Sequence, residues 1–498
     1  MELLLQIFLL IISIIIIIIF SPKKWAPRGR RKTGRHLAPA PGWRLPVIGH
    51  LHHFLTSRQP PHRLLRELSR KHGDVIRLEL GEISHVLISS AEAAMEVMRT
   101  HDVKFAQRPP HPHYEKVVYG GMDLIQAPYG DYWRQLRRVA TLELLTAKRV
   151  RSLGRVREAE VRALVRSIAV ASTATAGATI DLTRMLFSLT YRIISMSTFG
   201  DVSRGQEEFI KVAEELVEYA GGFKVAYLFP SNALVQRLSG TEEFLDGIQK
   251  VVDRLAESMI GQHQARRAAQ GGKSMSEEEE EHLLDVLLNL QENGDTLGFH
   301  LSTDAVKGFL LDIFLAGSET PAALIEWAIS EMIKNPEVMY KAQSEKLVIK
   351  ETLRLHTPAP LVLPRECREE CHISGYHIPL KTRILVNVWA IARDPRYWGE
   401  EAEKFLPERF LNNKVSFRGG DFEFLPFGAG RRMCPGMTFG LAAAELTLAN
   451  LLFHFDWKLP REVEATSFNM DEKFGVTLRR ENHLELIPVI RYNPLPSI

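Results

Sequence analysis

The sequence predicts a mainly α-helical protein with a minor β region, preceded by a single transmembrane helix. Three observations predict this fold class. An apolar run occupies residues 3–20, two short stretches of alternating apolar and polar residues follow at 74–80 and 84–90, and helical periodicity dominates the chain thereafter. The 498 residues contain no internal repeat and no Gly/Ser-rich linker in their middle, so we expect one large globular body.

The apolar run LLLQIFLLIISIIIIIIF is interrupted only by Gln6 and Ser13. As a helix, its eighteen residues would be about 27 Å long, close to the hydrocarbon thickness of a thin bilayer. Seven basic residues follow it before residue 36, which places the N-terminus in the lumen and the body in the cytosol. A cleaved signal peptide is the competing interpretation, but no basic segment precedes the run and no small-x-small site follows it. The sequence therefore predicts a single-pass anchor at residues 1–21.

Charge and cysteine content exclude two classes of protein. The net charge is +3, and residues 1–35 alone carry about +6, so the remainder is slightly acidic and does not resemble a nucleic-acid-binding body. Three cysteines are too few for a disulfide framework in a chain of this length and indicate a reducing compartment. A zinc site at Cys367, Cys371 and His372 is disfavoured, because no second pair of ligands lies nearby.

The predicted elements follow the chain in order. Residues 22–49 are basic and then proline-rich, which predicts an extended connector to a body at 50–498. Gly81 joins the two alternating stretches into a β-hairpin, and Ser90 is placed to cap the next helix. An acidic run at 271–281 predicts a solvated loop. Long helices are predicted around 131–166, 179–198, 206–220, 241–268 and 302–335, of which the last is apolar on several faces and should cross the core.

Cys434 lies in FGAGRRMCPG, directly before a strongly helical segment. Glycines at 428, 430 and 436 let the backbone turn tightly and bring N–H groups towards one sulfur atom. The N-terminus of the following helix would favour an anionic sulfur. These features alone leave two interpretations open, a metal-ligating or reactive cysteine and a buried inert one.

The pattern Phe427-x-x-Gly430-x-Arg432-x-Cys434-x-Gly436 resembles the haem-binding loop of the cytochromes P450 in all five positions. The resemblance implies that Cys434 is the axial thiolate ligand of the iron of heme b. It also implies that Phe427 covers the thiolate and that Arg432 meets a haem propionate. Thiolate ligation favours cleavage of the O–O bond.

Three further residues resemble the propionate contacts of this family. Trp133 and Arg137, in YWRQLRR, stand one helical turn apart and resemble its propionate-binding pair. Arg365, in LPREC, resembles another propionate contact. A single pair of this kind is common surface chemistry, but these motifs occur in the order that the family has.

Glu351 and Arg354, in KETLRLH, match the E-x-x-R pair of the family, and Arg409, in PERF, resembles its third member. An isolated Glu/Arg pair at this spacing is usually a surface ion pair of little energetic value. The resemblance instead implies a buried structural triad on the side of the haem loop.

The segment AGSET, at 316–320, resembles the oxygen-binding segment of the family. Gly317 would let the backbone approach the iron face, and Thr320 and Glu319 would relay protons to bound oxygen. The alternative, hydroxyls bonded to their own helix, does not explain an acid in an apolar core helix. Pro321 departs from the family pattern and removes the hydrogen bond to the carbonyl of 317. We hypothesise that it fixes a local opening and alters proton delivery, which unchanged oxygen coupling in Pro321→Ser would reject.

The implied reaction is a monooxygenation, the hydroxylation or epoxidation of a hydrophobic small molecule with O2. Electrons would come from NADPH through a separate NADPH–cytochrome P450 reductase, because no flavin or dinucleotide motif occurs in this chain. Arg134, Arg138, Arg431 and Arg432 predict a positive rim for that acidic partner. The alternative is that these arginines serve only propionates and the surface. The resemblance implies the endoplasmic reticulum membrane, with the catalytic domain facing the cytosol.

VIKETLRLHTPAPLVLPREC, WAIARDP and EKFGVTLRR resemble plant microsomal members of the seventy-one clan, many of which hydroxylate terpenoids in secondary metabolism. An apolar pocket suits a mid-sized hydrophobic substrate, and a terpenoid is the first expectation. The pocket is predicted from 105–125, 206–224, 311–320, 359–362 and 474–476.

One stretch is shorter than the family pattern. Members of the family carry a further helix and connector between the counterparts of Glu345 and Lys346, which are adjacent here. Either the coding sequence omits a segment, or the protein lacks a packing layer beside the Glu351 helix. Two other functions therefore stay open: a haem-thiolate isomerase or dehydratase, against which Glu319 and Thr320 argue, and a poorly active truncated membrane protein.

Overall fold

The computed structural model describes residues 36–174, 177–200, 206–221, 223–269, 282–292, 301–341, 345–460 and 468–494. The predicted anchor at 1–21, the first half of the connector (22–35) and the whole acidic run at 271–281 lie outside these residues. Within them the chain is mostly helical with several small sheets, so the predicted mainly α-helical class with a minor β region is confirmed. The transmembrane helix before it stays a prediction.

The first eleven helices precede the core helix and belong mostly to the N-terminal half of the body. Their bounds are α1 Leu51–Thr56, α2 Pro61–His72, α3 Ala91–Met95, α4 Pro112–Val117, α5 Asp131–Val139, α6 Ala147–Ser152, α7 Gly154–Ala174, α8 Leu182–Phe199, α9 Gln206–Tyr219, α10 Val225–Leu228 and α11 Ala233–Leu238.

The remaining helices include the longest ones and surround the candidate site. Their bounds are α12 Thr241–Ala269, α13 Leu283–Glu292, α14 Thr303–Lys334, α15 Pro336–Lys341, α16 Glu345–Leu355, α17 Val388–Ile391, α18 Pro395–Trp398 and α19 Met437–His454.

The strands form one four-stranded, one three-stranded and two two-stranded sheets among the described residues. In order they are β1 Val75–Leu80, β2 Ile83–Ile88, β3 Ile180–Asp181, β4 Arg365–Glu366, β5 Cys371–Ile373, β6 Tyr376–Ile378, β7 Arg383–Val386, β8 Phe455–Lys458, β9 Glu472–Lys473, β10 Arg479–Arg480 and β11 Glu485–Ile490. The four-stranded sheet has the order β1-β2-β7-β4, and β3-β11-β8 form the three-stranded one.

The predicted hairpin is confirmed, with β1 and β2 antiparallel and Val75 opposite Ile88. Gly81 has a φ of 62°, and a Cβ there would lie 2.5 Å from the carbonyl oxygen of Leu228. Glycine is therefore required both by the turn and by this close approach. Ser90 caps α3 as predicted, since its side chain accepts a hydrogen bond from the N–H of Ala93.

The helix predicted at 131–166 is divided into α5, α6 and α7. A π-helical turn follows α5, and Thr146 then adopts an extended conformation and caps α6 by accepting from the N–H of Arg149. Gly154 begins α7. The apolar periodicity continues through these breaks, which is why the pattern alone predicted one helix.

The core helix α14 agrees with the prediction of 302–335 to within one residue at each end. Ser302 caps it by accepting from the N–H of Ala305, and it packs against α8, α12, α16 and α19. Within the described ranges, α14 and α19 are long and apolar enough to cross a membrane, but 78% of the most apolar stretch of α14 is buried inside the protein. It is a core helix, and it brings segment 316–320 towards the N-terminal end of α19, where Cys434 lies.

Candidate functional site

The loop before α19 turns sharply around Cys434. The backbone N–H of Cys434 donates to the carbonyl of Phe427, 3.0 Å away, which folds the loop back on itself. The ring of Phe427 is half-buried and packs edge-on against Phe417, with 5.6 Å between the ring centroids. Gly430 has a φ of 71°, and a Cβ there would lie 2.1 Å from the carbonyl oxygen of Met98. Its lack of a side chain is thus essential to the loop.

Gly436 differs from the other glycines of the loop. Its φ of −84° is open to any residue, and a Cβ would stand 3.9 Å from the sulfur of Cys434, at ordinary contact distance. The turn does not require glycine there. Gly436 leaves space beside the sulfur.

The side chain of Cys434 keeps accessible surface although many protein atoms surround it. Burial raises the pKa of this thiol, while the backbone N–H groups of Gly436 and Met437 and the charge of Arg137 act in the opposite direction. These N–H groups form the N-terminus of α19, where an anion is stabilised. A cation bound to the sulfur would complete the stabilisation of the thiolate.

Arg432 is directed into the protein. Its guanidinium donates to the carbonyls of Ala106 at 2.8 Å, Leu124 at 3.3 Å and Ala127 at 2.6 Å. It also stacks over the ring of Trp133, 4.1 Å from the centroid. The predicted positive rim is therefore corrected at this position, because this side chain is directed into the protein and not towards a partner protein at the surface.

The other rim arginines, 134, 138 and 431, are exposed. Arg134 is paired with Asp131 on the same helix, and Arg431 lies 3.6 Å from Asp102. The surface around the Cys434 loop thus keeps three exposed guanidinium groups.

Of the predicted propionate pair, Trp133 donates its indole N–H to the carbonyl of Leu124, at 3.0 Å. The guanidinium of Arg137 is half-buried and has no hydrogen-bond partner among the described residues. Arg365 is buried, donates to the carbonyl of Ala429 at 2.8 Å and is 3.2 Å from Asp102. Arg137 therefore has the most donors free for another group.

Sequence reasoning missed a fourth arginine of this cluster. Arg108 is buried and donates to the carbonyls of residues 125, 363 and 364, at 2.8–3.1 Å. Burial and the charges of Arg432 and Arg365 lower the pKa of Arg108, and burial followed by Arg365 lowers the pKa of Arg432 to about 9. Such mutual repulsion favours binding of a group with more than one negative charge.

These residues fit a haem group. Four clustered guanidinium groups suit its two propionates, and a cysteine at the start of a helix suits its iron. Among the described residues no cluster of three or more His, Cys, Asp or Glu side chains could hold a metal ion by itself, so a zinc site at Cys367 and Cys371 gains no support.

The predicted triad comes together as a buried unit. Arg354 is fully buried and makes a bidentate pair with Glu351, at 2.7 and 2.8 Å. Arg409 reaches the same carboxylate, at 3.0 Å. Arg354 also donates to the carbonyls of residues 392, 402 and 404, which fixes the chain that leads to the Cys434 loop.

On α14, residues 313, 316, 317 and 320 form one accessible face within an otherwise buried helix. Their spacing of three and four residues puts them on the same side. The hydroxyl of Thr320 donates to the carbonyl of Ala316, at 2.7 Å, as an ordinary helical threonine does. Thr320 lies on this accessible face with its oxygen available as an acceptor.

Glu319 points away from this face and is 1% exposed. Neither carboxylate oxygen has a hydrogen bond of ordinary geometry to the described residues, although Oε1 lies 3.5 Å from Nη1 of Arg479 and the Thr477 hydroxyl is also close. Burial raises the pKa of Glu319 to about 7, against the opposing charge of Arg479. Arg479 itself lies 3.3 Å from Glu214 of α9, so a chain of charged groups joins Glu319 to a half-exposed carboxylate.

The structure gives a packing reason for glycine at 317 and corrects the local opening expected at Pro321. A Cβ at Gly317 would lie 2.6 Å from Cδ1 of Ile194, so this glycine permits close packing of α14 on α8. The helix is continuous through Pro321, without a local opening, and the proline ring is buried near Gly440 of α19. A missing N–H is thus accommodated within a regular helix.

A small cleft opens on one side of the four-stranded sheet. Its lining includes Ala220, Phe223, Leu361, Phe474 and Val476, with a minority of polar groups. Four of the five predicted pocket segments are represented here or on the accessible face of α14. The lining of the cleft is mostly apolar, and its volume is about 30 Å³.

Comparisons with known proteins agree with this site. The sequence model of the family described as Cytochrome P450 matches residues 39–347 and 346–484. Desmethyl-deoxy-podophyllotoxin synthase of Sinopodophyllum hexandrum is 44% identical over 500 residues, covering 96% of each chain. A germacrene A hydroxylase of Saussurea costus is 42% identical over 481 residues, covering 92% of this chain and 95% of its own. Cytochrome P450 71D10 of Glycine max is 43% identical over 505 residues, covering 96% and 97%.

Solved structures give the same fold. A zebra fish cytochrome P450 determined with progesterone superimposes with a TM-score of 0.70 at 24% identity, covering 87% of this chain and all of that one. The structure of a zebra fish cytochrome P450 with abiraterone gives a TM-score of 0.69 at 23% identity, with the same coverage.

The match to the family breaks at residues 346–347, where the sequence is shorter than expected. The alignment to the Sinopodophyllum protein spans 500 positions, whereas 96% of this chain is about 478 residues. About 22 positions of that alignment are therefore gaps in this chain. The break in the family match at 346–347 lies directly beside the junction of Glu345 and Lys346 predicted from the sequence.

Proposed function

Because the chain belongs to the cytochrome P450 family, and so to its haem-thiolate monooxygenases, we propose that it uses O2 and electrons from NADPH to hydroxylate or epoxidise a hydrophobic plant metabolite. The observation that carries the proposal is the pairing of Cys434 at the start of α19 with four clustered arginines. Those residues have the charge and the geometry to bind a dianionic iron porphyrin.

Cys434 would hold the iron, while Arg137, Arg365, Arg432 and Arg108 would bind or surround the propionates. Haem held by a thiolate supplies the chemistry that reduces dioxygen and inserts one of its oxygen atoms into a C–H or C=C bond. The buried arginines gain a counter-charge when the group binds, which offsets their mutual repulsion.

Thr320 and Glu319 would supply protons to the reaction, Thr320 from the accessible face of α14 and Glu319 from the buried side of the same helix. The hydroxyl oxygen of Thr320 lies on the accessible side of α14, where it could accept a hydrogen bond from a water molecule and so hold a proton donor in the site. Glu319 has a pKa near neutrality because it is buried, so it can take up and release a proton in the working pH range. Arg479 and Glu214 connect it to the surface.

The proposed substrate is a terpenoid. Two of the similar proteins are germacrene A hydroxylases, at 42% and 43% identity, and the cleft of this chain is lined mostly by apolar residues. Other similar proteins have different names, so a germacrene-type hydrocarbon is the first substrate class to test.

Location and electron supply belong to the same proposal. The apolar run at 3–20 and the basic residues after it favour a single-pass anchor in the endoplasmic reticulum, with the body in the cytosol. The exposed arginines 134, 138 and 431 favour docking of an acidic NADPH–cytochrome P450 reductase near the Cys434 loop.

The experiment expresses the full chain in yeast microsomes with a plant NADPH–cytochrome P450 reductase. We expect the reduced, CO-bound spectrum of a thiolate-ligated haem in the parent and in Cys371→Ala, which changes a cysteine away from the loop, but not in Cys434→Ala. With germacrene A, NADPH and isotopically labelled O2, the product should contain one labelled oxygen atom. A normal spectrum with product formed in the absence of NADPH and O2 would instead establish an isomerase or dehydratase.

A second candidate, a poorly active truncated protein, is favoured by the break at 346–347. A missing layer beside α16 would leave apolar area exposed, at roughly 1.5–3 kcal/mol for each leucine-sized side chain. Sequencing the transcript across this junction distinguishes an omitted segment from a true deletion. If restoring about 22 residues of a relative's sequence does not change haem content, the truncated interpretation is rejected.

A further inference from the structure

A short backbone turn at 123–127 connects the core helix to the propionate side of the site. The N–H groups of Leu124 and Ile125 donate to the same carboxylate oxygen of Asp312, at 2.6 and 3.1 Å. Asp312 lies on α14, two helical turns before Glu319, and it is 7% exposed. One aspartate of the core helix thus anchors two consecutive peptide groups of the turn.

The carbonyls of the same turn are bonded to residues of the haem site. Leu124 accepts from the indole of Trp133 at 3.0 Å and from Arg432 at 3.3 Å, and Ala127 accepts from Arg432 at 2.6 Å. The peptide group between Leu124 and Ile125 is bonded on both sides: its N–H, on Ile125, donates to Asp312, and its carbonyl, on Leu124, accepts from Trp133 and Arg432. If the N–H side moved, the carbonyls that orient Trp133 and Arg432 would move with it.

A second buried aspartate, Asp123, lies beside Asp312. One oxygen of Asp123 accepts from the N–H of Gln126 at 2.9 Å, and Asp123 and Asp312 lie within hydrogen-bonding range of each other. The other oxygen of Asp123 is buried and receives no donor from the described side chains or backbone. Two carboxylates this close cannot both ionise without strong repulsion, but one proton between them removes the repulsion and supplies the absent donor.

We propose that Asp123 and Asp312 share one proton and act as positioning residues, which hold the 123–127 turn and through it set Trp133 and Arg432 for the haem propionates. The inference rests on haem binding in the proposed function and adds the pair that maintains the geometry of that site.

The groups around the pair are consistent with one shared proton. Arg432 and Arg108 are the neighbouring cations, and Tyr114 and Tyr132 are the neighbouring phenols. Burial raises the pKa of both carboxyls, and the charge of Asp123 raises that of Asp312 further.

A carboxyl with a raised pKa binds its proton more tightly in the folded protein than in the unfolded one. The stability that it contributes is therefore present at low pH and is lost as the pH rises through the folded pKa. The turn should loosen on the alkaline side, when the pair loses its proton.

The test uses the haem-loaded full chain and measures the rate of haem transfer to apomyoglobin between pH 6 and pH 9. In the parent we expect this rate to rise about tenfold over the range, the size expected for leaving a buried hydrogen-bonding group unsatisfied. In Asp312→Asn the rise should be less than about twofold, because an amide keeps both acceptor contacts and donates to Asp123 at every pH. Resonance Raman bands of the propionates should shift with pH in the parent and stay constant in the variant.

Two further variants keep the test decisive. Asp312→Ala, which removes the anchor, should release haem faster at all pH values. Glu326→Gln removes another buried carboxyl of α14, one that does not contact the turn, and should leave the pH profile of haem transfer unchanged. Equal pH profiles in the parent and in Asp312→Asn overturn the proposal. A purified chain without any haem contradicts the proposed function instead, so the two failures are distinguishable.

Discussion

Two buried glutamates of this protein differ in how many hydrogen-bond donors surround their carboxylates. Glu351, beside the Cys434 loop, accepts from Arg354 on both oxygens and from Arg409 and the N–H of Leu406. Glu319, on the core helix α14, has no hydrogen bond of ordinary geometry within the described ranges. The guanidinium of Arg479 lies 3.5 Å from its carboxylate. Burial is nearly complete in both, so burial alone does not determine the role of a carboxylate.

The difference lies in what the protein offers the charged form. At Glu351 the ionised state is fully compensated, and the resulting unit holds the chain fixed. At Glu319 neither protonation state is fully satisfied, which brings the two states close in free energy near neutral pH. The first arrangement suits a structural role and the second suits a group that gains and loses a proton.

We expect the largest effect on stability from removing the charge of Glu351. Glu351→Gln would leave Arg354 and Arg409 without their counter-charge, and we expect it to lower the free energy of unfolding by about 3–5 kcal/mol. Urea unfolding and haem content would measure this. As a control, Asp74→Asn removes a surface partner of Arg396 and should change stability by less than about 1 kcal/mol. If Glu351→Gln and Asp74→Asn changed the free energy of unfolding equally, the ion pairs of Glu351 would be no more important to stability than a surface pair.

Glu319→Gln should have a smaller effect on stability and a larger one on proton delivery. The folded pKa of about 7 exceeds the unfolded value, so Glu319 lowers the stability of the parent by roughly 2–3 kcal/mol as the pH rises from about 4.5 to 7, and the glutamine variant lacks this contribution. We expect product formed per NADPH to fall at least tenfold in the variant and to lose its inflection near pH 7.

Glu326 provides the matched control for this prediction. Its carboxyl is buried on the same helix and burial raises its pKa to about 7 as well, but it is bonded to Thr183 and lies two turns beyond Glu319. Glu326→Gln should therefore remove a similar loss of stability without changing the coupling of NADPH to product. If both variants change coupling alike, Glu319 has no special part in proton delivery.

The sequence predicted the elements of this comparison that depend on local pattern. Helix α14 was located to within one residue at each end, because its apolar residues continue without a break on several faces. The buried pair of Glu351 and Arg354 was implied by the resemblance to the E-x-x-R pair of the family, since their spacing alone is typical of a surface ion pair. Glu319 was recognised because an acid in an apolar helix is costly, and the same signal at Asp312 was overlooked.

What the sequence did not reveal depends on contacts between distant parts of the chain. Arg479 meets Glu319 across 160 positions of sequence, and Arg108 bonds to carbonyls at 363 and 364. Neither residue stands out by its neighbours in sequence. The inward direction of Arg432 was likewise decided by carbonyls of a turn three hundred residues earlier.

The smallest and most specific prediction concerns the two residues that set the charge around Glu319. Arg479 lowers the pKa of Glu319 and Glu214 raises it. Arg479→Gln should therefore move the pH midpoint of coupling upwards and Glu214→Gln should move it downwards, each by up to about one pH unit, because Glu214 is half-exposed and screened. A pH series of product formed per NADPH would measure both shifts. A purely structural ion pair would make the two substitutions act in the same direction, since each breaks the same contact. Opposite shifts can arise only if the charge of Glu319 itself controls the reaction.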